Sequence, residues 1–171
     1  MLRFLFPSLT ADPERGAPLL AWVTAQARRP HWYLDGRVAD SIDGRFAMVA
    51  TIAALVSVRL ERDGERGAAA QVALTERFIE VMKAEHREIG LGDPKLGRTV
   101  RKLVGALARR IALWRAAVAG DGDWNVTSRA SIYGDAPVAA AALDHSAARL
   151  RMLWEQLDAA SAAAIAEGRI A

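Results

Sequence analysis

The sequence predicts an all-α protein, a single-domain bundle of about six to seven helices spanning residues 1–171. Alanine is abundant, β-branched residues seldom cluster, and no stretch keeps the polar–apolar alternation of a half-buried strand. The chain has no internal repeat and no linker that would divide it. Its 171 residues are enough to bury one hydrophobic core.

Helices are predicted near both ends of the sequence. The N-terminal helix is expected over residues 12–29, because Asp12 can cap it and Pro13 suits the first helical position. A proline at position 30 would end it. The C-terminal helix is expected over residues 137–167, where leucines recur among alanines.

A buried apolar helix is predicted over residues 46–60. This stretch contains an uncharged run, Phe46–Val58, that is too short to span a bilayer unaided, so a core helix is expected. Asp40 is a candidate N-cap, with Asp43 as its capping-box partner. Gly44 in the first turn costs about 1 kcal/mol relative to alanine, which indicates a close approach of another group there.

Residues 87–98 predict a tight corner between two helices. Either Gly90 or Gly92 can supply the left-handed residue that ends the first helix. Asp93 is then a good N-cap for the second, and Pro94 suits its first turn.

The helix that follows the corner, over residues 95–119, is predicted to be amphipathic with an entirely positive polar face. Its apolar residues recur at helical spacing, and residues 94–120 contain no acid. Such a face favours a polyanionic partner, which is rRNA, anionic lipid or an acidic protein surface. The residues predicted to bind that partner are Arg98, Arg101, Lys102 and Arg109.

The sequence offers little support for catalysis. It has no cysteine, and its three histidines, His31, His86 and His145, lack the spacing of metal ligands. The glycines of the corner do not have the spacing of a phosphate-binding loop. We therefore predict a protein without enzymatic activity, cofactor or metal.

Two motifs together indicate a family resemblance. The first is Asp43-Gly44-Arg45-Phe46, and the second is Arg87-Glu88-Ile89-Gly90-Leu91-Gly92-Asp93. In this combination the sequence resembles the ubiquinol–cytochrome c chaperone family, which assists assembly of the cytochrome bc1 complex. The resemblance covers about residues 30–135, and the alanine–arginine bias is typical of a bacterial member.

The resemblance implies a non-enzymatic assembly factor that holds nascent or newly inserted cytochrome b. Mitochondrial relatives act with a small partner protein near the ribosomal exit tunnel; DNA is not an expected partner. No secretory signal or spanning segment is recognised in the sequence, so we expect a cytoplasmic protein, peripheral at the inner face of the cytoplasmic membrane. The alternative is a membrane-surface or RNA-binding helical module without a chaperone role.

The two motifs are also predicted to meet in space. Our hypothesis is that Arg45 forms an ion pair with Glu88 or Asp93 and so fixes the corner. The motif residues Arg87, Gly90 and Gly92 would then have a structural role.

Overall fold

A computed structural model describes residues 15–88 and 93–171, with side chains at all of these positions except 83, 85–88, 93–97 and 99. In this part of the chain the regular structure is helical, and no strand is present. The all-α prediction is therefore confirmed. The helices are α1 (Ala17–Ala27), α2 (His31–Leu34), α3 (Ile42–Leu60), α4 (Gly64–Glu88), α5 (Asp93–Ala119), α6 (Trp124–Ser128), α7 (Ala140–Ala159) and α8 (Ala162–Ala166).

Helix α3 lies at the centre of the bundle and packs against α1, α4, α5 and α7. It is buried from Ala47 to Leu60 apart from the half-buried Val49. A helix that is apolar on every side must be surrounded by other elements, and the neighbouring helices cover it here. Among the described residues, no helix combines the length and the apolar character that crossing a bilayer requires.

The N-terminal helix begins later than predicted. Gly16 adopts a left-handed backbone conformation (φ 79°), and α1 starts at Ala17 with Pro18 in its first turn. The predicted start at residues 12 and 13 lies outside the described residues. Glycine is suited to position 16 because it has no Cβ to clash in this conformation.

The C-terminal helix is divided into two, whereas one continuous helix was predicted. Ala160 adopts an extended conformation after α7, and the Ser161 hydroxyl accepts a hydrogen bond from the Ala164 N–H (3.2 Å), which caps α8. Helix α8 then packs against α1 and α4 and buries Ile165 completely. Alanine favours helix throughout this stretch, so the break depends on the serine cap and on these tertiary contacts.

A buried polar cluster joins α3 to α5 through the turn that follows α6. The Ser131 hydroxyl lies 2.7 Å from the Thr51 hydroxyl and accepts a hydrogen bond from Trp114 Nε1 (3.1 Å). The guanidinium of Arg110 donates to the backbone carbonyl of Ser131 (2.9 Å). Because buried polar groups are costly unless paired, this cluster fixes how α5 lies against α3.

Candidate functional site

A groove of about 810 Å³ lies between α1, α3, α4 and α5, next to α2. We refer to it below as the groove. Its lining is mainly apolar, and its rim carries charged side chains. The apolar lining residues are Leu20, Tyr33, Ile42, Phe46, Val49, Phe78, Val81, Met82, Leu103 and Ala106, and the charged ones are Arg28, Asp43, Arg45, Lys102 and Arg109.

Two phenylalanines form the floor of the groove. Phe46 is half-buried and Phe78 is almost fully buried, and their ring centroids are 6.0 Å apart in a tilted arrangement. Aromatic rings at this separation attract each other beyond the gain from burial alone. Phe46 belongs to the first sequence motif, so that motif contributes directly to the groove.

The wall of the groove near α2 is held by hydrogen bonds to the end of α1. Trp32 Nε1 donates to the carbonyl of Gln26 (2.8 Å), and the Tyr33 hydroxyl donates to the carbonyl of Ala27 (3.0 Å). Burial raises the pKa of Tyr33, so its hydroxyl stays protonated and able to donate. The short helix α2 therefore presents Tyr33 to the groove in a fixed position.

The start of α3 is capped differently from the prediction. Ser41, and not Asp40, is the N-cap, and its hydroxyl accepts a hydrogen bond from the Gly44 N–H (3.2 Å). Asp40 instead pairs with Arg45 at 2.6 Å, and this hydrogen bond lowers the pKa of the Asp40 carboxyl. The exposed Asp43 carboxylate points to the groove rim and still suits the positive end of the helix dipole.

Gly44 allows a close backbone approach, as its position in the sequence indicated. A Cβ placed on Gly44 would lie 2.0 Å from the carbonyl oxygen of Ala39. Any side chain there would force the chain before α3 away from the helix. The Asp-Gly-Arg-Phe motif thus combines a packing constraint, an ion-paired arginine and a groove residue.

The four cations predicted to bind a partner are all exposed, but they divide between two locations on α5. Lys102 and Arg109 line the groove, whereas Arg98 and Arg101 do not. Lys102 and Arg109 are seven residues apart, so they lie two turns apart on the same face of the helix. Arg28 from the end of α1 joins them at the rim, and no sequence motif indicated it.

The polar face of α5 is not wholly free to bind a polyanion, because two of its cations are engaged within the protein. This corrects the prediction that the entirely positive face is a binding surface. Arg115 forms two hydrogen bonds with the Glu61 carboxylate, at 2.9 and 2.7 Å. Arg110 turns inward, and burial, assisted by the charge of Arg109, lowers the pKa of its guanidinium. Its Cζ atom lies 5.9 Å from the centroid of the Phe46 ring.

The second motif cannot be placed in the same way. Ile89, Gly90, Leu91 and Gly92 lie outside the described residues, as do the side chains of Arg87, Glu88 and Asp93. The predicted ion pair between Arg45 and Glu88 or Asp93 therefore stays a prediction. The described partner of Arg45 is Asp40.

Two histidines that are far apart in the sequence are brought together beside the groove wall. His31 Nδ1 on α2 lies 3.2 Å from His145 Nε2 on α7. Burial, followed by the charges of Arg149, His145 and Arg29, lowers the pKa of His31 to about 4. No sequence pattern indicated this pair, because 114 positions separate the two residues.

The described residues thus form a helical bundle with an apolar groove and a cationic rim, features typical of a binding protein. Comparison with known families gives the particular assignment. The model of the ubiquinol–cytochrome c chaperone family matches residues 34–171, so the chain belongs to this family. The match extends to the last residue, beyond residue 135, where the sequence resemblance was expected to end. Membership implies a role in assembly of the bc1 complex.

A solved structure supports the same fold. The chain is similar to the Cbp3 homolog from Brucella abortus, with a TM-score of 0.77 and 21% sequence identity. The similarity covers 99% of this chain and 94% of the Brucella chain. No curated protein matches the sequence.

Proposed function

We propose that this chain is a non-enzymatic assembly factor that holds cytochrome b while the bc1 complex is built. The observation that carries the proposal is the groove, because it presents an apolar floor within the family that assists this assembly. A newly made membrane protein exposes apolar segments before they are packed. Each Å² of apolar surface removed from water stabilises the bound state by about 25 cal/mol.

The groove suits one face of an apolar helix. Phe46, Val49 and Leu103 are only half-buried, so a bound segment would cover surface that they now expose. Amphipathic or apolar helices commonly bind in grooves of this kind through side chains three and four residues apart. We infer that a membrane segment of cytochrome b is the occupant.

The exposed cations of α5 that lie outside the groove would bring the protein to the place where cytochrome b is synthesised. We propose that Arg98 and Arg101, which are exposed and do not line the groove, contact rRNA phosphates or the anionic headgroups of the inner face of the cytoplasmic membrane. A small partner protein, as used by mitochondrial relatives, would bind elsewhere. The protein would then be peripheral to the membrane.

Blocking the groove tests the proposed role. Ala106 lines the groove and is half-buried, so Ala106→Phe places a ring into it; Ala108 is exposed on α5 and does not line the groove. We expect Ala106→Phe to lower the amount of assembled bc1 complex several-fold on native gels, and Ala108→Phe to leave it unchanged. Equal amounts with both variants, at equal cellular levels of the protein, would contradict the proposal.

Charge reversal tests the surface contact separately. The double variant Arg98→Glu, Arg101→Glu, which leaves the groove lining unchanged, should lose salt-sensitive co-sedimentation with ribosomes, since contact with phosphates depends on cations. Unchanged sedimentation would refute contact with rRNA. Binding of the wild-type chain to anionic liposomes in the absence of ribosomes would favour the membrane surface instead.

A further inference from the structure

We propose that the groove is a binding site for one anionic phospholipid, with an acyl chain along the apolar floor and the phosphate at Lys102 and Arg109. The inference does not depend on cytochrome b as the client. It follows from the size of the groove, the nature of its floor and the arrangement of charge at its rim.

The size and lining of the groove suit a lipid chain. A volume of about 810 Å³ falls within the range of roughly 300 to 1,000 Å³ that is usual for sites of small ligands. The floor consists of Phe46, Phe78 and neighbouring aliphatic side chains, which offer no charged group to a bound molecule. An acyl chain gains from such a floor through apolar burial alone.

The rim supplies charge of the opposite sign to a phosphate. In the described part of the chain, Arg28, Lys102 and Arg109 form no ion pair, although other exposed arginines do. Arg45 is neutralised by Asp40, and Asp43 is the single acid among the described residues at the rim. Three unpaired cations and one unpaired acid leave the described rim with a net positive charge.

The position of these cations distinguishes a lipid from a nucleic acid. Lys102 and Arg109 flank the half-buried Leu103 and Ala106, so a group that they bind lies directly beside apolar surface. A phospholipid carries a phosphate and an apolar chain in one molecule, and it satisfies both parts of the site. An RNA strand has phosphates and bases that could stack on Phe46, but no aliphatic chain to cover Val49 and Leu103.

A lipid in the groove would also fit the proposed function. The lipid would cover Phe46 and Leu103 while no client is bound, and a membrane segment of cytochrome b would compete with it for the same surface.

Binding of a soluble short-chain lipid tests the inference. The full chain is titrated calorimetrically with dioctanoyl phosphatidylglycerol below its critical micelle concentration, so that no membrane surface is present. Dioctanoyl phosphatidylcholine tests the need for net negative charge, and glycerol 3-phosphate tests the need for the chain. We expect the phosphatidylglycerol to bind at least tenfold more tightly than either. Equal binding of the two lipids, or of the lipid and glycerol 3-phosphate, would overturn the inference.

Matched variants locate the site. Lys102→Glu and Arg101→Glu change adjacent residues of α5 by the same charge, but only Lys102 lines the groove. We expect Lys102→Glu to weaken binding of phosphatidylglycerol about tenfold and Arg101→Glu to change it less than twofold. Equal weakening of lipid binding by both substitutions would indicate that the lipid responds only to the overall charge of α5. This result would overturn the proposed binding site in the groove.

A second pair tests the chain-binding floor. Ala106→Phe should abolish lipid binding, and Ala108→Phe should not. An undiminished affinity of Ala106→Phe for the lipid would overturn the inference, as would displacement of the lipid by a short RNA of higher affinity.

Circular dichroism checks that each variant is folded. If Lys102→Glu is not folded, Lys102→Gln replaces it. Loss of lipid binding in Lys102→Gln with normal bc1 assembly would leave the proposed function intact.

Discussion

Gly44 is the position in the first motif at which close packing excludes a side chain. The glycine lies against the carbonyl oxygen of Ala39, and an alanine there would place its Cβ 2.0 Å from that oxygen. Gly105 lies in the middle of α5, and among the described residues a Cβ added there would have only the flexible end of Arg109 within 4 Å. The two glycines therefore respond oppositely to the same substitution.

We predict that Gly44→Ala lowers the free energy of unfolding by about 2 kcal/mol, because the backbone must shift to relieve the contact. Gly105→Ala should raise it by about 0.5 to 1 kcal/mol, because alanine is the better helix former. Urea denaturation of both variants measures the difference. An unchanged free energy of unfolding in Gly44→Ala would show that the chain before α3 can shift without cost.

His31 makes the stability of the protein depend on pH. Its pKa is about 4 in the folded chain and about 6.5 when unfolded, so the unfolded state binds the proton more readily. The contribution of the neutral His31 to the free energy of unfolding is complete above pH 6.5 and is lost as the pH falls towards 4. We predict a loss of about 1 kcal/mol over this range, since solvent screens part of the interaction at a half-buried residue.

Comparison of the wild-type chain with His31→Gln tests this prediction. The free energy of unfolding, measured between pH 7 and pH 4, should fall less steeply for His31→Gln because the variant has no proton to bind at this position. The ring of His31 should also titrate near pH 4 by NMR. Titration close to pH 6.5, with identical pH profiles of the two proteins, would refute the account.

At the scale of elements, Arg59 connects the end of α3 to the break between α7 and α8. Its guanidinium donates to the carbonyls of Leu157 (3.1 Å) and Ala160 (2.8 Å) and forms an ion pair with Asp63. Arg59 is 8% exposed, so its removal would leave the Ala160 carbonyl without this donor in a place that water reaches poorly, whereas the Leu157 carbonyl would keep its hydrogen bond from the Ala160 N–H. The contact holds Ala160 in the position where the C-terminal helix is interrupted.

We predict that Arg59→Ala lowers the free energy of unfolding by about 3 kcal/mol, because a buried hydrogen-bonded charge is removed. Arg62 provides the control, since it is half-exposed, pairs with Asp158 and lies over the Trp154 ring, and Arg62→Ala should cost no more than about 1 kcal/mol. Equal costs in guanidinium denaturation would show that Arg59 does not hold the two ends together.

Much of the element pattern could be predicted, because it follows from local sequence. The uncharged run that forms most of α3 predicts a buried helix, and the spacing of apolar residues predicts α5. The break at Ala160 could not be predicted, because the carbonyl of Ala160 is bound by Arg59, 101 positions earlier. The same limit applies to Arg115, whose partner Glu61 lies on another element.

For the site, the sequence indicated several individual residues but not how they are arranged. The first motif and the cations of α5 were separate predictions, and folding brings Arg45, Phe46, Lys102 and Arg109 to one groove. Nothing in the order of the residues indicated that Lys102 faces this groove while its neighbour Arg101 does not.

At the scale of the whole molecule, the helices produce two kinds of surface. The groove combines apolar side chains with a positive rim, and the exposed Arg98 and Arg101 lie outside it. Under the proposed function, this division would let the protein hold an apolar client in the groove and approach an anionic surface with the exposed arginines. On this proposal, cytochrome b occupies the groove.

Site-specific photo-crosslinking tests that claim most directly. A photoreactive phenylalanine at Leu103 lies in the groove, and the same residue at the exposed Ala108 lies outside it on α5. After irradiation of native membranes during cytochrome b synthesis, we predict a crosslink to cytochrome b from position 103 and none from position 108. Equal crosslinks from both positions, or none from position 103 in a folded and active protein, would contradict the account.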